Sequence, residues 1–304
     1  MGVGRGSAER TPRRGPGGVY PLSLSYHPAA LTALHAIVLA IVQGVTEFIP
    51  VSSSAHLILV PYLLHWPDQG LAFDVACHVG TLLAALVYFR RDVADLVAGV
   101  FTGQAQGGAG GEDSFYPRKL AAAIVAGSIP AGLVGVLLKD WIEREARNPL
   151  LIAGTSIGFG ILLFLVDRVG RKWREIGDFG IIAGFVVGCA QGLALVPGTS
   201  RSGITITAAL LLGFLRPAAA RFSFLLFLPI AAGAALLEGH KLWKGGLPHE
   251  ELVAFALGIA VSAVVGYLVI AWLIDWLRRR SLDAFVVYRV LLGVGILGVV
   301  FARR

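Results

Sequence analysis

Ionisable and hydroxyl side chains cluster in two short segments of an otherwise apolar sequence. The first, residues 43–57, reads QGVTEFIPVSSSAHL, and the second, residues 191–205, reads QGLALVPGTSRSGIT. An arginine among hydroxyl groups, as at Arg201, is suited to phosphate because its planar guanidinium binds two oxygens and stays ionised. A serine beside a carboxylate such as Glu47 is suited to nucleophilic catalysis. The two segments therefore predict phosphate chemistry.

Several residues of these segments are candidates for binding and catalysis. Glu47 and His56 are alternative general bases for a serine, and the residue types alone do not decide between them. Glu47 is also the candidate ligand of a divalent cation, because Mg²⁺ commonly bridges carboxylates and substrate phosphates. Any one hydroxyl is explained by helix capping, but six at two helix starts exceed what caps require. The hydroxyl groups expected to bind the substrate are those of Ser52, Ser54, Thr199, Ser200 and Ser202.

Each polar segment interrupts an apolar run at a proline, Pro50 or Pro197. Proline lacks a backbone donor and disfavours helical geometry at the preceding residue, and the Ser/Thr cluster that follows starts a new helix. Broken helices are tolerated in membranes where their free backbone faces protein or a water-filled cavity. Two helix starts that meet present free N–H groups and partial positive charge to an anion. We therefore expect a phosphate or diphosphate site where the two tips meet.

Composition indicates that this site lies in a membrane. The chain has 304 residues, of which 56% are hydrophobic and only 15% charged, and its mean hydropathy is +0.75. Soluble domains carry about 25% charged residues. The formal net charge of +7 comes from short basic blocks between apolar runs, a pattern typical of loops beside lipid headgroups. Membrane lipids are thus expected partners, and nucleic acid is not.

Six apolar runs are long enough to span a bilayer. They lie near residues 71–89, 119–138, 149–167, 219–238, 251–273 and 284–302. The broken segments, 30–65 and 178–214, have arms of about 14 to 18 residues, too short to cross alone, and are interpreted as re-entrant hairpins. The order of one hairpin and three spans occurs twice, and an odd number of spans inverts the second copy. The expected fold is an all-α polytopic membrane protein with six transmembrane helices plus two re-entrant helical hairpins in an inverted repeat.

The predicted organisation is a single integral membrane domain, residues 29–304. Its repeats cover about 29–167 and 178–302, and the Gly-, Arg- and Pro-rich residues 1–28 are interpreted as a disordered extension. Lysine and arginine are most numerous in four of the connecting loops, which the positive-inside rule assigns to the cytoplasm. These loops are residues 90–119, 168–177, 216–221 and 276–283.

The motifs and their flanks resemble the undecaprenyl-diphosphate phosphatase family of the bacitracin-resistance type. The segments that carry the resemblance are QGVTEFIPVSSSAH, FDVACHVGTLLAALVYFRRD, SIPAGLVG, PGTSRSG and RFSFLLFLP, and it extends from about residue 33 to the C terminus. It implies hydrolysis of a C55 polyprenyl diphosphate to the monophosphate that carries cell-wall precursors, and hence bacitracin resistance. It also implies a divalent cation, Mg²⁺ or Ca²⁺, and a bacterial cytoplasmic membrane.

The resemblance further implies roles for individual residues. The positions that match the family's motif residues are Glu47, Ser52, Ser53, His56 and Arg201. Among these, Ser53 corresponds to the serine proposed as nucleophile. Gln43 falls where many members carry a second glutamate, so one candidate metal ligand is lost, and Gln43 is instead expected to contact the substrate.

A transporter or flippase of polyprenyl phosphate lipids is the alternative function, because inverted repeats and broken helices are also typical of transporters. The oligomeric state stays open, and a homodimer is one arrangement that the sequence allows. Asp74 and His78 are one helical turn apart, but two ligands are too few for a closed metal site, so we interpret them as structural. Asp167 and Asp275 stand at span ends beside basic loops and are interpreted as interfacial.

Overall fold

The computed structural model describes residues 31–102, 117–138, 148–245 and 251–302. The predicted extension, residues 1–28, lies outside this range. The described chain is helical, and its strand-like pairing is confined to an isolated bridge between Arg174 and Phe214. The all-α prediction is therefore confirmed.

The described residues form eleven α-helices and two short 3-10 turns, Ile176–Asp178 and Leu193–Leu195. The α-helices are α1 (Ala33–Thr46), α2 (Ser53–Leu64), α3 (Gly70–Tyr88), α4 (Arg90–Thr102), α5 (Pro117–Leu137), α6 (Pro149–Val169), α7 (Ile181–Gly192), α8 (Arg201–Leu211), α9 (Arg216–Gly245), α10 (Leu252–Arg279) and α11 (Asp283–Ala302).

Within the described ranges, six helices are long and apolar enough to cross a membrane: α3, α5, α6, α9, α10 and α11. Each coincides with one of the six predicted spans, and their mean hydropathies lie between 1.8 and 2.5. A charged residue is costly in hydrocarbon, so helices of this length and composition are typical of membrane spans. The chain is a multi-pass membrane protein.

Two pairs of shorter helices contain the polar motifs. The first pair, α1 and α2, has 14 and 12 residues, and the second pair, α7 and α8, has 12 and 11. Most of these arms are shorter than the predicted 14 to 18 residues, because turns occupy the residues around Pro50 and Pro197. We call these turns the first tip (residues 47–52) and the second tip (residues 193–200).

The outer ends of each pair lie next to each other. In the first pair the rings of His35 and Trp66 pack in a tilted arrangement with centroids 4.3 Å apart. In the second pair the N–H groups of Trp173 and Arg174 donate to the carbonyl of Gly213 at 2.9 and 3.0 Å. The two ends of each pair are therefore close together, and the proline-containing tip lies between its two helices.

Helices approach closely where they lack bulky side chains, as in other membrane proteins. A Cβ atom added at Gly184 in α7 would lie 2.1 Å from the carbonyl oxygen of Ala123 in α5. One added at Gly188 would lie 2.1 Å from the carbonyl oxygen of Gly127, one turn further along. This tight contact holds the second pair against α5.

Described residues of the four basic loops contact one another, and Asp167 is a central contact among them. Its carboxylate accepts hydrogen bonds from Arg216 Nε at 2.7 Å and Nη2 at 3.1 Å, and from the backbone N–H of Leu282 at 3.2 Å. The Asp167 side chain is fully buried, so it lies at the span end beside basic residues, as interpreted, but is enclosed by protein. Asp275, with 59% of its side chain exposed, fits that interpretation. The two aspartates differ in burial because of tertiary packing, which hydropathy does not reveal.

We expect Asp167→Asn to destabilise the protein by about 3 kcal/mol, because breaking a buried ion pair leaves the remaining charge of Arg216 uncompensated. Thermal unfolding in detergent would show a clearly lower Tm. Asp275→Asn is the matched control, since it removes an exposed pair with Arg279 of the i,i+4 type and should change the Tm little. Equal Tm values for the two variants would contradict the prediction.

Candidate active site

The two tips contact each other directly, as the sequence predicts. The backbone N–H of Gly198 donates to Ser52 Oγ at 3.2 Å, and Ser202 Oγ donates to the carbonyl of Ile49 at 3.1 Å. Ile49 and Ser52 belong to the first tip, Gly198 belongs to the second tip, and Ser202 lies just after it in α8. The starts of α2 and α8 are therefore neighbours, and their free N–H groups favour an anion at this point.

The residues that precede α2 and α8 share an unusual backbone conformation. Ser52 has φ = 77° and Ser200 has φ = 70°, and residues other than glycine rarely adopt this backbone conformation. Each positive φ costs on the order of 1–3 kcal/mol and persists where surrounding contacts impose it, which is typical of functional sites. Both serines also contact the hydroxyl two residues later, Ser54 at 3.2 Å and Ser202 at 3.3 Å. The two tips are thus built alike.

Gly198 allows the second tip to lie against α6. Its φ is 88°, and an added Cβ atom would lie 2.2 Å from Thr155 Oγ1 and 2.6 Å from the carbonyl oxygen of Ile152. Thr155 Oγ1 donates to the carbonyl of Pro197 at 2.7 Å. Both the backbone angle and the space available therefore require glycine here.

Arg289, in α11, binds both tips from behind. Its side chain is fully buried. The guanidinium donates to the carbonyls of Pro50 at 3.3 Å, Gly198 at 2.8 Å and Thr199 at 2.9 Å. The sequence analysis did not identify this residue, although a lone arginine within an apolar span was a usable signal.

Glu47 is the residue on which the predicted catalytic groups converge. Its Oε2 accepts hydrogen bonds from Ser53 Oγ at 2.7 Å and from Gln43 Nε2 at 2.8 Å. Its Oε1 accepts from Arg201 Nη2 at 3.1 Å. The Glu47 side chain is 4% exposed, so these donors compensate a buried carboxylate. A hydroxyl this close to a carboxylate is in position to transfer its proton.

The Arg201 guanidinium is fixed by contacts with protein groups, and one of its N–H donors stays available for a ligand. Nη1 donates to the carbonyl of Ser223 at 3.1 Å, and the guanidinium lies 4.2 Å from the centroid of the Phe227 ring. Within the described part of the chain, its buried Nε has no hydrogen-bond partner. An unpartnered guanidinium N–H beside two helix starts fits an anionic ligand.

The hydrogen bonds of the His56 ring go to groups other than Ser53. Its Nδ1 lies 2.7 Å from the carbonyl oxygen of Ser52, and its Nε2 lies 2.6 Å from the hydroxyl of Tyr288. A carbonyl only accepts, so Nδ1 carries the proton and Nε2 accepts from Tyr288. Both ring nitrogens are therefore engaged, and the geometry favours Glu47 over His56 as the base for Ser53.

His78 lies beside Glu47, although the sequence analysis left it outside the site. Its Nε2 is 3.4 Å from Glu47 Oε2. Asp74 points elsewhere, since its Oδ1 accepts from Gln69 Nε2 at 2.7 Å. No group of three or more His, Cys, Asp or Glu side chains suited to a metal occurs among the residues that the structure describes.

The second tip contributes further buried polar groups. Thr199 Oγ1 and both side-chain polar atoms of Gln191 are buried, and no described residue forms a hydrogen bond with them. Gln191 stands nine residues before Ser200, just as Gln43 stands nine residues before Ser52. Such unsatisfied groups are rare in native interiors and indicate room for a polar ligand or water.

The fold and the site define a class: a multi-pass membrane protein whose buried polar centre joins a serine, a carboxylate and an arginine at the tips of two helix pairs. The chain belongs to the family of the bacitracin resistance protein BacA, whose family model matches residues 36–295. The resemblance inferred from the motifs is thereby confirmed.

Named relatives agree with this assignment. The chain is 51% identical over 272 residues to an undecaprenyl-diphosphatase of Geobacter metallireducens, covering 89% of this chain and 99% of the relative. It is 50% identical to an undecaprenyl-diphosphatase of Thermomicrobium roseum, covering 88% and 98%. A third undecaprenyl-diphosphatase, of Moorella thermoacetica, is 48% identical and covers 90% and 100%.

Proposed function

We propose that this protein is an undecaprenyl-diphosphatase that hydrolyses undecaprenyl diphosphate to undecaprenyl phosphate and inorganic phosphate. Relatives of about 50% identity over nearly their whole length carry that name. The observation that carries the proposal is the convergence of Ser53 and Arg201 on the two oxygens of Glu47. This reaction recycles the lipid carrier of cell-wall synthesis and confers resistance to bacitracin.

In the proposed mechanism Ser53 is the nucleophile and Glu47 its base. Glu47 Oε2 takes the hydroxyl proton, and Ser53 Oγ bonds to the terminal phosphorus. The bond from that phosphorus to the bridging oxygen breaks, and undecaprenyl phosphate leaves with the bridging oxygen. A water molecule then cleaves the phosphoserine, releases inorganic phosphate and restores the serine.

Charge stabilisation is assigned to Arg201 and the two helix starts. Phosphoryl transfer depends chiefly on positioning and on electrostatic stabilisation of the equatorial oxygens. The Arg201 Nε donor and the free N–H groups of α2 and α8 point to that role. The hydroxyl and amide groups proposed to orient the diphosphate are those of Gln43, Ser52, Ser54, Thr199, Ser200 and Ser202.

A divalent cation, Mg²⁺ or Ca²⁺, is part of the proposal. The donor set fits an open site of the kind that Mg²⁺ uses, in which one or two carboxylates are supplemented by water and substrate phosphates. Glu47 would hold the ion here. When bound, the cation would neutralise charge on the diphosphate.

We further propose that both helix pairs are re-entrant hairpins related by an inverted repeat. α3 begins just after Trp66, at the outer end of the first pair. The other end of α3 lines a cavity together with Arg221 and Leu215, beside the outer end of the second pair. A helix of 19 residues separates these ends by about 28 Å. The shared geometry of Ser52 and Ser200 supports the same relation.

The proposed location is the bacterial inner membrane, where the six spans hold the site among lipids. The substrate's prenyl chain would lie between helices towards lipid, and association into a homodimer is an open part of the proposal. The alternative, a transporter or flippase of polyprenyl phosphate lipids, has the same architecture. Only a test for hydrolysis therefore distinguishes a phosphatase from a transporter or flippase.

The decisive experiment is an assay of free phosphate from purified, detergent-solubilised protein supplied with undecaprenyl diphosphate. An undecaprenyl-diphosphatase releases one phosphate per lipid, whereas a transporter releases none. Stopping the reaction in acid and searching for phosphate on Ser53 by mass spectrometry tests the covalent step. Turnover without any phosphoserine would replace Ser53 attack with direct attack by water.

We expect Tyr288→Phe to lower the rate of phosphate release about 5-fold. The substitution removes the hydroxyl that donates to His56 Nε2, and losing such a hydrogen bond costs about 1 kcal/mol. The loss reaches the site through the carbonyl of Ser52, which His56 holds. Tyr267→Phe, in α10, is the control; equal rates for both variants would show that the His56 contact has no effect.

A further inference from the structure

We propose that His78 is a ligand of the divalent cation, together with Glu47. This inference rests on the proposed function and deepens it by completing the metal site. The observation behind it is the 3.4 Å approach of His78 Nε2 to Glu47 Oε2. The pair bridges α3 and the first tip, so the cation would be bound between a membrane span and the catalytic turn.

The hydrogen bond at the other nitrogen selects the tautomer that binds metal. His78 Nδ1 lies 2.8 Å from the carbonyl oxygen of Asp74, so Nδ1 is the donor and Nε2 has a free lone pair. Metal-binding histidines almost always donate their second ring N–H to a carbonyl or carboxylate, which fixes the ring orientation. His78 already has this support.

The contact between His78 and Glu47 is otherwise unfavourable. In a neutral His78 the Nε2 lone pair would face a carboxylate oxygen, so that two acceptors would stand 3.4 Å apart. A cation coordinated by both removes this repulsion. A proton on Nε2 would also remove it, and the experiment below separates the two.

A third acceptor is held next to the pair. Gln43 is fully buried and donates Nε2 to Glu47 Oε2, but its Oε1 has no hydrogen-bond partner among the residues that the structure describes. The His78 side chain is 35% exposed, whereas that of Glu47 is 4% exposed. A glutamine at this position supplies no second carboxylate, and the imidazole of His78 provides the missing ligand.

The mixed ligand pair changes the expected metal preference. Mg²⁺ and Ca²⁺ take oxygen ligands, whereas Mn²⁺ shares their carboxylate ligands and, as a first-row transition ion, also binds at sites with nitrogen ligands. We therefore expect Mn²⁺ to bind more tightly than Mg²⁺ or Ca²⁺. Replacing His78 by glutamine should weaken Mn²⁺ binding at least ~10-fold, the smaller effect seen when a supporting residue of a metal site is removed.

The test is pulsed electron paramagnetic resonance of Mn²⁺ bound to the full chain in detergent, with inorganic pyrophosphate present. Electron spin echo modulation from a coordinated imidazole nitrogen should appear in the wild type and vanish in His78→Gln. It should persist in His56→Gln, the other histidine of the site, and in His65→Gln, an exposed histidine at the end of α2.

Each other result overturns the proposal. Bound Mn²⁺ without nitrogen modulation in the wild type excludes an imidazole ligand, and this measurement needs no variant to fold. Modulation that survives in His78→Gln, or disappears in His56→Gln, assigns the nitrogen to another residue. Phosphate release by a protein without the nitrogen signal would leave the phosphatase function intact and remove only this inference.

Discussion

Ser53→Ala is expected to lower the rate of phosphate release by at least ~10³-fold. The substitution deletes the oxygen that would bond to phosphorus, and removing the nucleophile of a hydrolase costs several orders of magnitude. The expected residual rate reflects the electrostatic contribution of Arg201 and the helix starts. Steady-state release of phosphate from undecaprenyl diphosphate measures the effect.

The control for this variant is Ser128→Ala in α5. Ser128 Oγ donates to the carbonyl of Ile124 within the same helix rather than to a residue of the tips. Its rate should stay close to that of the wild type. If Ser53→Ala retains more than a tenth of the wild-type rate while the protein is folded, Ser53 is not the nucleophile.

Arg201→Lys is expected to lower kcat/KM by about 10²–10³-fold, although the charge is retained. Arginine binds Glu47 and the carbonyl of Ser223 with different nitrogens and packs on the Phe227 ring, leaving Nε free. Lysine has one terminal nitrogen and cannot make these contacts together. Losing one stabilising donor in an active site costs this much in rate.

A matched lysine substitution is available in one of the basic loops. Arg168 is 58% exposed and pairs with Asp283, so Arg168→Lys should change kcat/KM little. A similar kcat/KM for Arg201→Lys and wild type would show that only charge matters at position 201. Recovery of Arg201→Ala by added guanidinium would, in contrast, support the role of the planar donor.

Local signals account for what the sequence predicts well. The spans follow from the length of apolar runs, and the breaks follow from Pro50 and Pro197 with the capping hydroxyls behind them. The two motifs also identify Glu47, Ser53 and Arg201, which the structure brings into contact. Each of these inferences depends on residues close together in the chain.

Contacts between distant helices account for what the sequence analysis missed. In a membrane span both the lipid-facing and the buried faces are apolar, so hydropathy does not reveal which way a polar side chain points. The direction of His78 towards Glu47 depends on how α3 packs against the first tip. The burial of Asp167 depends on Arg216 and Leu282, which lie far along the chain.

The position of Arg289 has a consequence for biosynthesis. The carbonyl groups of Pro50, Gly198 and Thr199 belong to the first and second halves of the chain, yet their common donor comes from the last described helix. During translation, both tips exist before this guanidinium is made. The centre therefore becomes complete only when α11 has been inserted, and a nascent chain truncated before that helix would lack a competent pocket.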